Sequence, residues 1–471
     1  MKVKRRYQAC LLALSILLAS LPVTGITALP VPVPAAYRLN SDWQTTGAQT
    51  PAQARTETNE PFKFGKVDLE LLAQINLLDQ RFEKEGLVYH EASLDAYLDR
   101  VGKAVLDDRE IENVNWKFRA LRDPVPNAFA LPNGSIYINT GMLALMEEEG
   151  QLASVLAHEV THVTERHTYQ QNRSIRKKVL AINIINAIGT WSPVGGGAGL
   201  AIDLIATISP FMLALSVFGY SRELEKEADL EGLKKVSAAG YDSEQMVKMI
   251  KLLQMDIEGE QLNSFYNDHP KLQERVNYLS NSVKSPVPKP SGEQLPDPRT
   301  QYLTQMENVD RHDVSLAINN GRFRSALYVS NKLVNFHPDS SENVFYLAES
   351  YRALGPRAQA LTPAELTGGA KKKAAKNRNK RTLEEQEAEL MKTPAGQEAW
   401  KANQQKAEEL YLRALELNRF NSMAHRGLGM LYEKIERKDE AMSEYRKYIE
   451  LAPNAFDLER IKRRLQILKG P

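Results

Sequence analysis

Hydrophobic positions in the first half of the chain follow two different periods. From about residue 67, apolar residues recur at steps of three and four, as in an amphipathic helix. The stretches VNWKFRALRD and GSIYINT then alternate apolar and polar residues as strands do, with the turn signal PNG between them. A further helical pattern follows and carries LAHEVTHVTERH, residues 156–167. This order predicts a mainly α, α+β domain, helical with a small sheet, over residues 63–280.

The second half opens with a loss of periodicity, and several prolines at 281–302 predict a linker. Beyond it, small and large residues recur with the 34-residue period of a tetratricopeptide repeat, which predicts an α-solenoid over residues 303–471. A basic block followed by an acidic block interrupts one repeat at about 356–404. We interpret this insertion as a solvated, flexible excursion rather than a contact surface. The residues at repeat positions include Ala326, Pro338, Leu347, Ala348, Tyr351, Ala407, Tyr411, Ala414, Leu428, Gly429, Tyr432, Ala441, Tyr445 and Pro453.

The first residues show a basic start, an apolar stretch and then small residues, which predicts a secretory signal peptide over residues 1–28. An uncleaved membrane anchor is the alternative, but the apolar stretch is shorter than the roughly 20 residues that span a bilayer. Residues 29–62 are rich in proline, threonine and glutamine and predict a flexible linker. The single cysteine, Cys10, falls in the signal, so we expect the mature chain to have no disulfide and no thiol nucleophile.

The net charge of the chain bears on whether it binds nucleic acid. The formal net charge of +2 lacks the basic excess that nucleic-acid binding requires, so that class of partner is excluded.

The interval 179–220 is strongly apolar but is interrupted by prolines, glycines and an aspartate. Three interpretations stay open: a membrane span, which is the least favoured, reversible contact with a membrane or another protein, and ordinary packing.

The quoted stretch has the spacing of a metal site. His158 and His162 are four residues apart and project from one side of a helix, which suits two nitrogen ligands to one zinc ion. Glu159, next to the first histidine, can act as a general base without being a ligand. The alternative is a surface helix with stray histidines, and the amphipathic pattern around the motif disfavours it.

A catalytic zinc also needs a third protein ligand. His167 lies five residues past His162, where the metzincin pattern has six, so we favour a supporting or purely structural role for it. The stretch SRELEKEADLEGL offers Glu225 and Asp229 on one helical face, and either can bind the metal while the other accepts a hydrogen bond from a ligand histidine. Glu227 lies on a different face of this helix and is the weaker candidate for a metal ligand. Without the first motif, a solvated acidic helix would be the better interpretation.

Four segments, NAFALPNGSIYINTGML, HEVTHVTERH, SRELEKEAD and HPKLQER, occur in this order over roughly residues 65–280. Together they resemble the successive motifs of the HtpX and CAAX-prenyl-protease family of zinc metallopeptidases. With an export signal and trailing repeats, the whole chain resembles the periplasmic beta-barrel assembly-enhancing proteases of Gram-negative bacteria. The resemblance implies a zincin-like fold, a periplasmic location and one Zn²⁺ per subunit.

The resemblance also implies roles for single residues. It implies zinc ligation by His158, His162 and Glu225, with Glu159 as catalytic base, which leaves Asp229 to support a ligand histidine. Thr161 is a departure, because many relatives carry glycine or alanine before the second histidine.

Two further residues and one strand are candidates for the site. His269 and Arg275 are each candidates to stabilise the oxyanion, and His269 could instead take the fourth zinc position and keep the enzyme latent. The alternative is that the His-Pro pair only starts a helix. The strand GSIYIN is a candidate sheet edge against which an extended substrate pairs.

We therefore expect an exported zinc metalloendopeptidase of the gluzincin type, HExxH plus Glu. Its expected substrates are misfolded or stalled envelope proteins, and the repeats are expected to dock these clients or the outer-membrane assembly machinery. A chaperone-like adaptor with a structural or latent metal site is the alternative. A membrane-embedded prenyl-protein protease is disfavoured, because the chain lacks the several clean spans that it requires.

Overall fold

A computed structural model describes residues 64–107, 110, 114–181, 220–255, 272–283, 297–359 and 382–470. The predicted signal peptide and the linker at 29–62 lie outside the described residues. So do His269, residues 182–219 of the apolar interval, most of the linker at 281–302 and residues 360–381 of the insertion. Within the described ranges, none of the helices has the length and apolar character that crossing a bilayer demands.

The first part of the described chain is helical with a small sheet, as predicted. Amphipathic patterns account for the first two helices, in which most apolar residues face the core and most charged residues face solvent, although Asp68 and Asp79 are buried. The elements are α1 Lys66–Lys84, β1 Val88–Tyr89, α2 Ala92–Ala104, β2 Lys117–Leu121, β3 Ala128–Ala130, β4 Ser135–Asn139, α3 Thr140–Leu145, α4 Glu149–Thr164, α5 His167–Ala181, α6 Arg222–Ala238, α7 Glu244–Gln254 and α8 Leu272–Ser282.

The sheet has four strands in the order β1-β2-β4-β3. Strand β2 pairs with β1 antiparallel and with β4 parallel, and β3 pairs with β4 antiparallel through the turn at 131–134. The prediction that GSIYIN is an edge strand is wrong, because β4 has a neighbour on each side. All five residues of β4 are buried, as in a strand covered on both faces. Among the described strands, β1 and β3 lie at the two edges of the sheet, and β3 is the one next to helix α4.

Helix α4 lies at the centre of this part of the molecule. It contacts β3, α2, α6 and α7. Its apolar residues Leu152, Leu156 and Val160 are fully buried in the main hydrophobic core together with Phe118, Ile136 and other sheet residues. A helix held on several sides by packed neighbours keeps its side chains in one arrangement.

Helical pairs form the second part of the chain, as the repeat pattern predicts. Three pairs, α9 with α10, α11 with α13, and α14 with α15, precede a final helix α16 that packs on the last pair. The elements are α9 Pro298–Asn319, α10 Phe323–Phe336, α11 Ser341–Leu354, α12 Leu383–Met391, α13 Pro394–Leu417, α14 Ser422–Lys434, α15 Lys438–Leu451 and α16 Leu458–Lys469.

The charged insertion is more ordered than expected over its second half. The prediction of a flexible excursion is wrong for most of residues 383–404, which form α12 and the first turns of α13. Thr382 begins α12 with a capping box to Glu385, and Pro394 occupies the start of α13, so both helices carry strong start signals. Helix α12 itself is nevertheless solvated, because it has no buried residue.

The repeats begin in direct contact with the first part of the chain. Helix α9 starts at Pro298, inside the predicted linker, and its residues Tyr302, Met306 and Val309 belong to the same apolar core as α4. The Tyr302 hydroxyl donates a hydrogen bond to the Leu143 carbonyl at 2.8 Å. The two parts therefore share a core rather than meeting only through a tether.

Candidate metal centre

Three side chains of the site project from helix α4. His158, Glu159 and His162 are all almost completely buried, at 4%, 1% and 1% exposure. Buried imidazoles and carboxylates are costly without partners, so their presence in a packed helix marks a site rather than a chance cluster.

The two imidazoles converge on a carboxylate from helix α6. The Nε2 atoms of His158 and His162 are 3.0 Å apart. The Glu225 carboxylate places Oε2 at 3.5 Å from Nε2 of His158 and Oε1 at 3.6 Å from Nε2 of His162. One ligand atom from each residue lies within 4.8 Å of the other two, and this is the one such group among the described residues. The structure thus brings together the three residues for which the resemblance implies zinc ligation.

Helix α6 can approach α4 this closely because of a glycine. A Cβ atom on Gly232 would lie 3.2 Å from the backbone nitrogen of His158 and 3.3 Å from its Cα atom. Ser221 caps the start of α6 by accepting a hydrogen bond from the Leu224 amide, so Glu225 lies in the first turn. Partial positive charge at this end of the helix favours a carboxylate there.

Asp229 lies one turn further along α6 and holds the first histidine. Its Oδ1 atom is 2.9 Å from Nδ1 of His158, so the Nε2 atom is the one that faces Glu225. Arg275 of α8 donates two hydrogen bonds to Asp229, at 2.8 and 2.6 Å, and the Tyr278 hydroxyl donates a third. Burial opposes ionisation of Asp229, but the charges of Arg275 and His158 outweigh it and lower its pKa to about 2.

Glu159 is the remaining acid of the motif. Its Oε2 atom makes no hydrogen bond to another described residue. Burial raises the pKa of Glu159 to about 7, although the neighbouring charge of His158 opposes the shift. Helix α4, which carries Glu159, packs against the edge strand β3. A carboxyl that titrates near neutrality beside a sheet edge is suited to proton transfer on a bound chain.

The donor set fits zinc. Two imidazole nitrogens and one carboxylate oxygen are ligands that zinc prefers in catalytic sites. Tetrahedral bonds of about 2.1 Å put ligand atoms roughly 3.4 Å apart, close to the separations of 3.0, 3.5 and 3.6 Å found here. The Glu225 carboxylate is completely buried beside the two imidazoles, and a divalent cation would balance its negative charge.

The other candidates occupy different places. Arg275 is 2% exposed and lies on Asp229, so its position supports a holding role, and its assignment to the oxyanion stays a prediction. His269 lies outside the described residues.

Two aromatic neighbours of the site were not anticipated from the sequence. Tyr220 stacks on His162 with ring centres 4.0 Å apart, and Tyr278 contacts Asp229. Tyr278 follows Arg275 by three residues on one helical face, which is a signal that the sequence contained.

Comparison with known proteins agrees with this geometry. The pattern of Peptidase family M48 matches residues 92–283, and that of a tetratricopeptide repeat matches residues 425–455. The mitochondrial metalloendopeptidase OMA1 of Schizosaccharomyces pombe is 30% identical over 192 residues, which are 40% of this chain and 52% of the relative. OMA1 of Arabidopsis thaliana is 24% identical over 46% of this chain and 41% of the relative.

Bacterial relatives match a similar extent of the chain. The beta-barrel assembly-enhancing protease of Escherichia coli strain K12 is 25% identical over 165 residues, 34% of this chain and 32% of the relative. The matches thus span about a third to about half of the length of these relatives. Each relative is named as a protease, and the matched family is one of metal-dependent peptidases. Residues 92–283, which carry both histidines, both carboxylates of α6 and Arg275, therefore form a peptidase family M48 metallopeptidase domain, and this chain joins that domain to a tetratricopeptide-repeat region.

Proposed function

We propose that this chain is an exported zinc endopeptidase that cleaves misfolded or stalled envelope proteins. The observation that supports it most directly is the buried group of His158, His162 and Glu225, with Glu159 beside it. In this proposal the three residues hold zinc and Glu159 is the base, as in the gluzincin arrangement of HExxH plus Glu.

The residues divide the chemistry between them. A bound zinc ion would supply Lewis acidity toward a water molecule and the scissile carbonyl. Glu159 takes a proton from the attacking water and returns it to the leaving amine, and its position beside the three ligand residues suits it to both steps. Asp229, held by Arg275, fixes the orientation of His158. The arrangement needs no covalent intermediate on the protein.

The edge strand indicates how a substrate is held. Strand β3, Ala128–Ala130, has β4 on one side and, among the described residues, no strand on the other. Helix α4, which carries Glu159, packs against this strand. An extended polypeptide that adds to this edge passes beside the base and is recognised through its main chain. Such recognition favours unfolded or incompletely assembled chains over one sequence.

Location and clients are the finer part of the proposal. The amino-terminal signal pattern supports export, and the bacterial relatives are named for enhancing beta-barrel assembly. Those names support a periplasmic role in outer-membrane protein quality control, with the repeats docking clients or assembly machinery. The interval 179–220 is in this proposal a candidate for peripheral membrane contact. Other relatives are named as mitochondrial proteins, so location is to be determined directly, by fractionating cells that produce this chain.

The test compares Glu159→Gln with the parent chain and with Glu165→Gln, a control acid one turn beyond the motif. We expect Glu159→Gln to lower the cleavage rate of an unfolded polypeptide by at least about a hundredfold, because general acid–base catalysis is lost. Zinc content should stay near one per chain, and Glu165→Gln should cleave normally. Cleavage that survives Glu159→Gln would contradict the proposal.

The same variant separates the adaptor alternative from the enzyme. Expressed in cells with a crosslinker, Glu159→Gln should retain clients that the parent chain degrades. If the parent chain and the variant capture the same clients and neither cleaves them, the chain is an adaptor whose metal site is structural or latent.

A further inference from the structure

We propose that His167 is a positioning residue that selects the metal-binding tautomer of His162 and connects it to Glu227 near the surface. This inference rests on the proposed zinc site but not on proteolysis. His167 is completely buried, lies outside the ligand group and has no role in the steps described above.

The contacts of His162 divide its ring into two sides. Nε2 faces the other imidazole and Glu225, at 3.0 and 3.6 Å. Nδ1 faces away from that group and lies 2.9 Å from Nδ1 of His167. The ring of His167 meets that of His162 edge to face, with centres 4.9 Å apart. The group of possible metal ligands contains His158, His162 and Glu225, and His167 lies outside it on the other side of the His162 ring.

Hydrogen-bonding rules then determine where the protons lie. A neutral imidazole carries one proton, and a nitrogen that binds a metal carries none. With Nε2 of His162 as the ligand atom, its Nδ1 atom holds the proton and donates to Nδ1 of His167. Nδ1 of His167 must then be the acceptor, so its own proton lies on Nε2.

On the side away from His162, the His167 ring faces the carboxylate of Glu227. Its Nε2 atom lies 3.4 Å from Oε2 of Glu227, which is an ion-pair distance without the geometry of a hydrogen bond, and the Glu227 side chain is about a third exposed. The carboxylate favours a proton on Nε2 of His167, which keeps Nδ1 of His167 open as an acceptor. Glu227 thus stabilises, through one imidazole, the tautomer of the next. His158 has a comparable carboxylate partner in Asp229, in direct contact.

The turn before His167 is built for this contact. Helix α4 ends at Thr164 and α5 begins at His167. Arg166 between them has a φ of 58°, in the left-handed region that is unfavourable for a non-glycine residue. That reversal directs His167 back against the last turn of α4. The Tyr220 ring, stacked on His162, limits the rotation of that imidazole.

The test uses two substitutions at His167 that differ in their ability to accept a hydrogen bond. His167→Gln keeps a carbonyl acceptor, whereas His167→Leu has none. We expect His167→Leu to weaken zinc binding about 10- to 100-fold and His167→Gln to stay within about threefold of the parent chain, measured by competition with a chromogenic chelator. Glu227→Leu should weaken binding less than His167→Leu does, and Glu227→Gln should be near the parent.

A spectroscopic signature distinguishes positioning from simple packing. In ¹⁵N-labelled, zinc-loaded protein, the His162 ring should carry its proton on Nδ1, and that proton should exchange slowly with water in the parent chain and in His167→Gln. In His167→Leu it should exchange rapidly. Equal zinc affinity in the Leu and Gln variants, or a His162 proton on Nε2 in the parent chain, overturns the proposal.

The readouts also remain informative in two difficult cases. If His167→Leu does not fold, the Glu227→Leu and Glu227→Gln pair decides, because that side chain is partly exposed: equal zinc affinity in the two overturns the proposal. If the protein proves not to be a protease, zinc affinity and the ring proton still report on the relay, since neither requires catalysis.

Discussion

At the residue scale, protons and zinc would compete for the same imidazole in the proposed zinc site. His158 is buried, which disfavours its charged form, but Asp229 and Glu225 outweigh burial and raise its pKa to about 10 in the metal-free site. A histidine must be neutral to bind zinc, so binding must displace this proton throughout the physiological pH range.

We therefore expect zinc affinity to increase as the pH is raised from 6 to 8, by up to about tenfold per pH unit for each proton displaced. Below the raised pKa the proton is fully bound, and the competition weakens only as the pH approaches that value. Isothermal titration in buffers of different ionisation enthalpy measures both the affinity and the number of protons released.

Asp229→Asn is the matched variant for this measurement. It removes the charge that holds the proton on His158, so the slope of affinity against pH should become shallower, even though the affinity itself also decreases. A parent chain whose zinc affinity is independent of pH over this range would contradict the prediction.

At the element scale, the site depends on how closely α6 packs against α4. The ligand triad contains two residues of one helix and one of the other, so a change in their separation changes the distance from Glu225 to both imidazoles. Gly232 sets that separation, since its missing Cβ atom would contact the His158 backbone.

Gly232→Ala should destabilise the protein by about 1 to 3 kcal/mol, because an added methyl group in packed contact forces a backbone shift. That cost should exceed the gain of up to roughly 1 kcal/mol in helix propensity. Zinc binding should weaken with it. Urea denaturation and chelator competition provide the two measurements.

Ser237→Ala on the same helix is the control for helix propensity, because Ser237 is exposed. It should leave zinc binding unchanged and stability equal or slightly higher. If Gly232→Ala is as stable as this control and binds zinc normally, the close approach of the two helices is not what positions Glu225.

At the scale of the whole molecule, a lysine from the repeats completes the peptidase domain. Lys332 of α10 donates hydrogen bonds to the carbonyls of Ala144 and Met146 at 2.6 and 3.1 Å, at the end of α3 and just before α4. It also pairs with the buried Asp310 at 2.8 Å. A cation at the end of a helix satisfies carbonyls that have no partner within the helix.

Lys332→Met should destabilise the protein by about 3 to 5 kcal/mol, since it leaves a buried carboxylate without its partner. Burial already raises the pKa of Asp310 to about 6 despite Lys332, so removing Lys332 should raise it further. The protonated form is then favoured in the folded state, and stability is lost as the pH rises. The loss should therefore be larger at pH 8 than at pH 5, as measured by denaturant unfolding.

Lys392→Met is the matched control, because Lys392 pairs with Glu389 on the solvated helix α12 and is mostly exposed. It should change stability by less than about 1 kcal/mol at either pH. Separate unfolding of the two regions, with Lys332→Met affecting the repeats alone, would show that the shared core does not couple them.

The sequence alone determined the parts of this protein that depend on local periodicity. Two histidines four residues apart lie on one side of any helix, so His158 and His162 were predictable as a pair without knowledge of the fold. The helical repeats, the small sheet and the helix carrying Glu225 and Asp229 followed from similar patterns. These features are local because a helix or strand repeats within a few residues.

Only the tertiary structure decided the features that join distant segments. The choice between Glu225 and Asp229 depends on which carboxylate the packing of α6 directs to the Nε2 atoms, and strand order made β3 rather than β4 the edge. Sequence spacing carries no information about either, since strands and helices far apart in the chain meet through packing of their faces. The contact between the repeats and α3 has the same origin, and so does the contact of His167 with Glu227. In both, close packing brings together groups whose separation in sequence is unrelated to their separation in space.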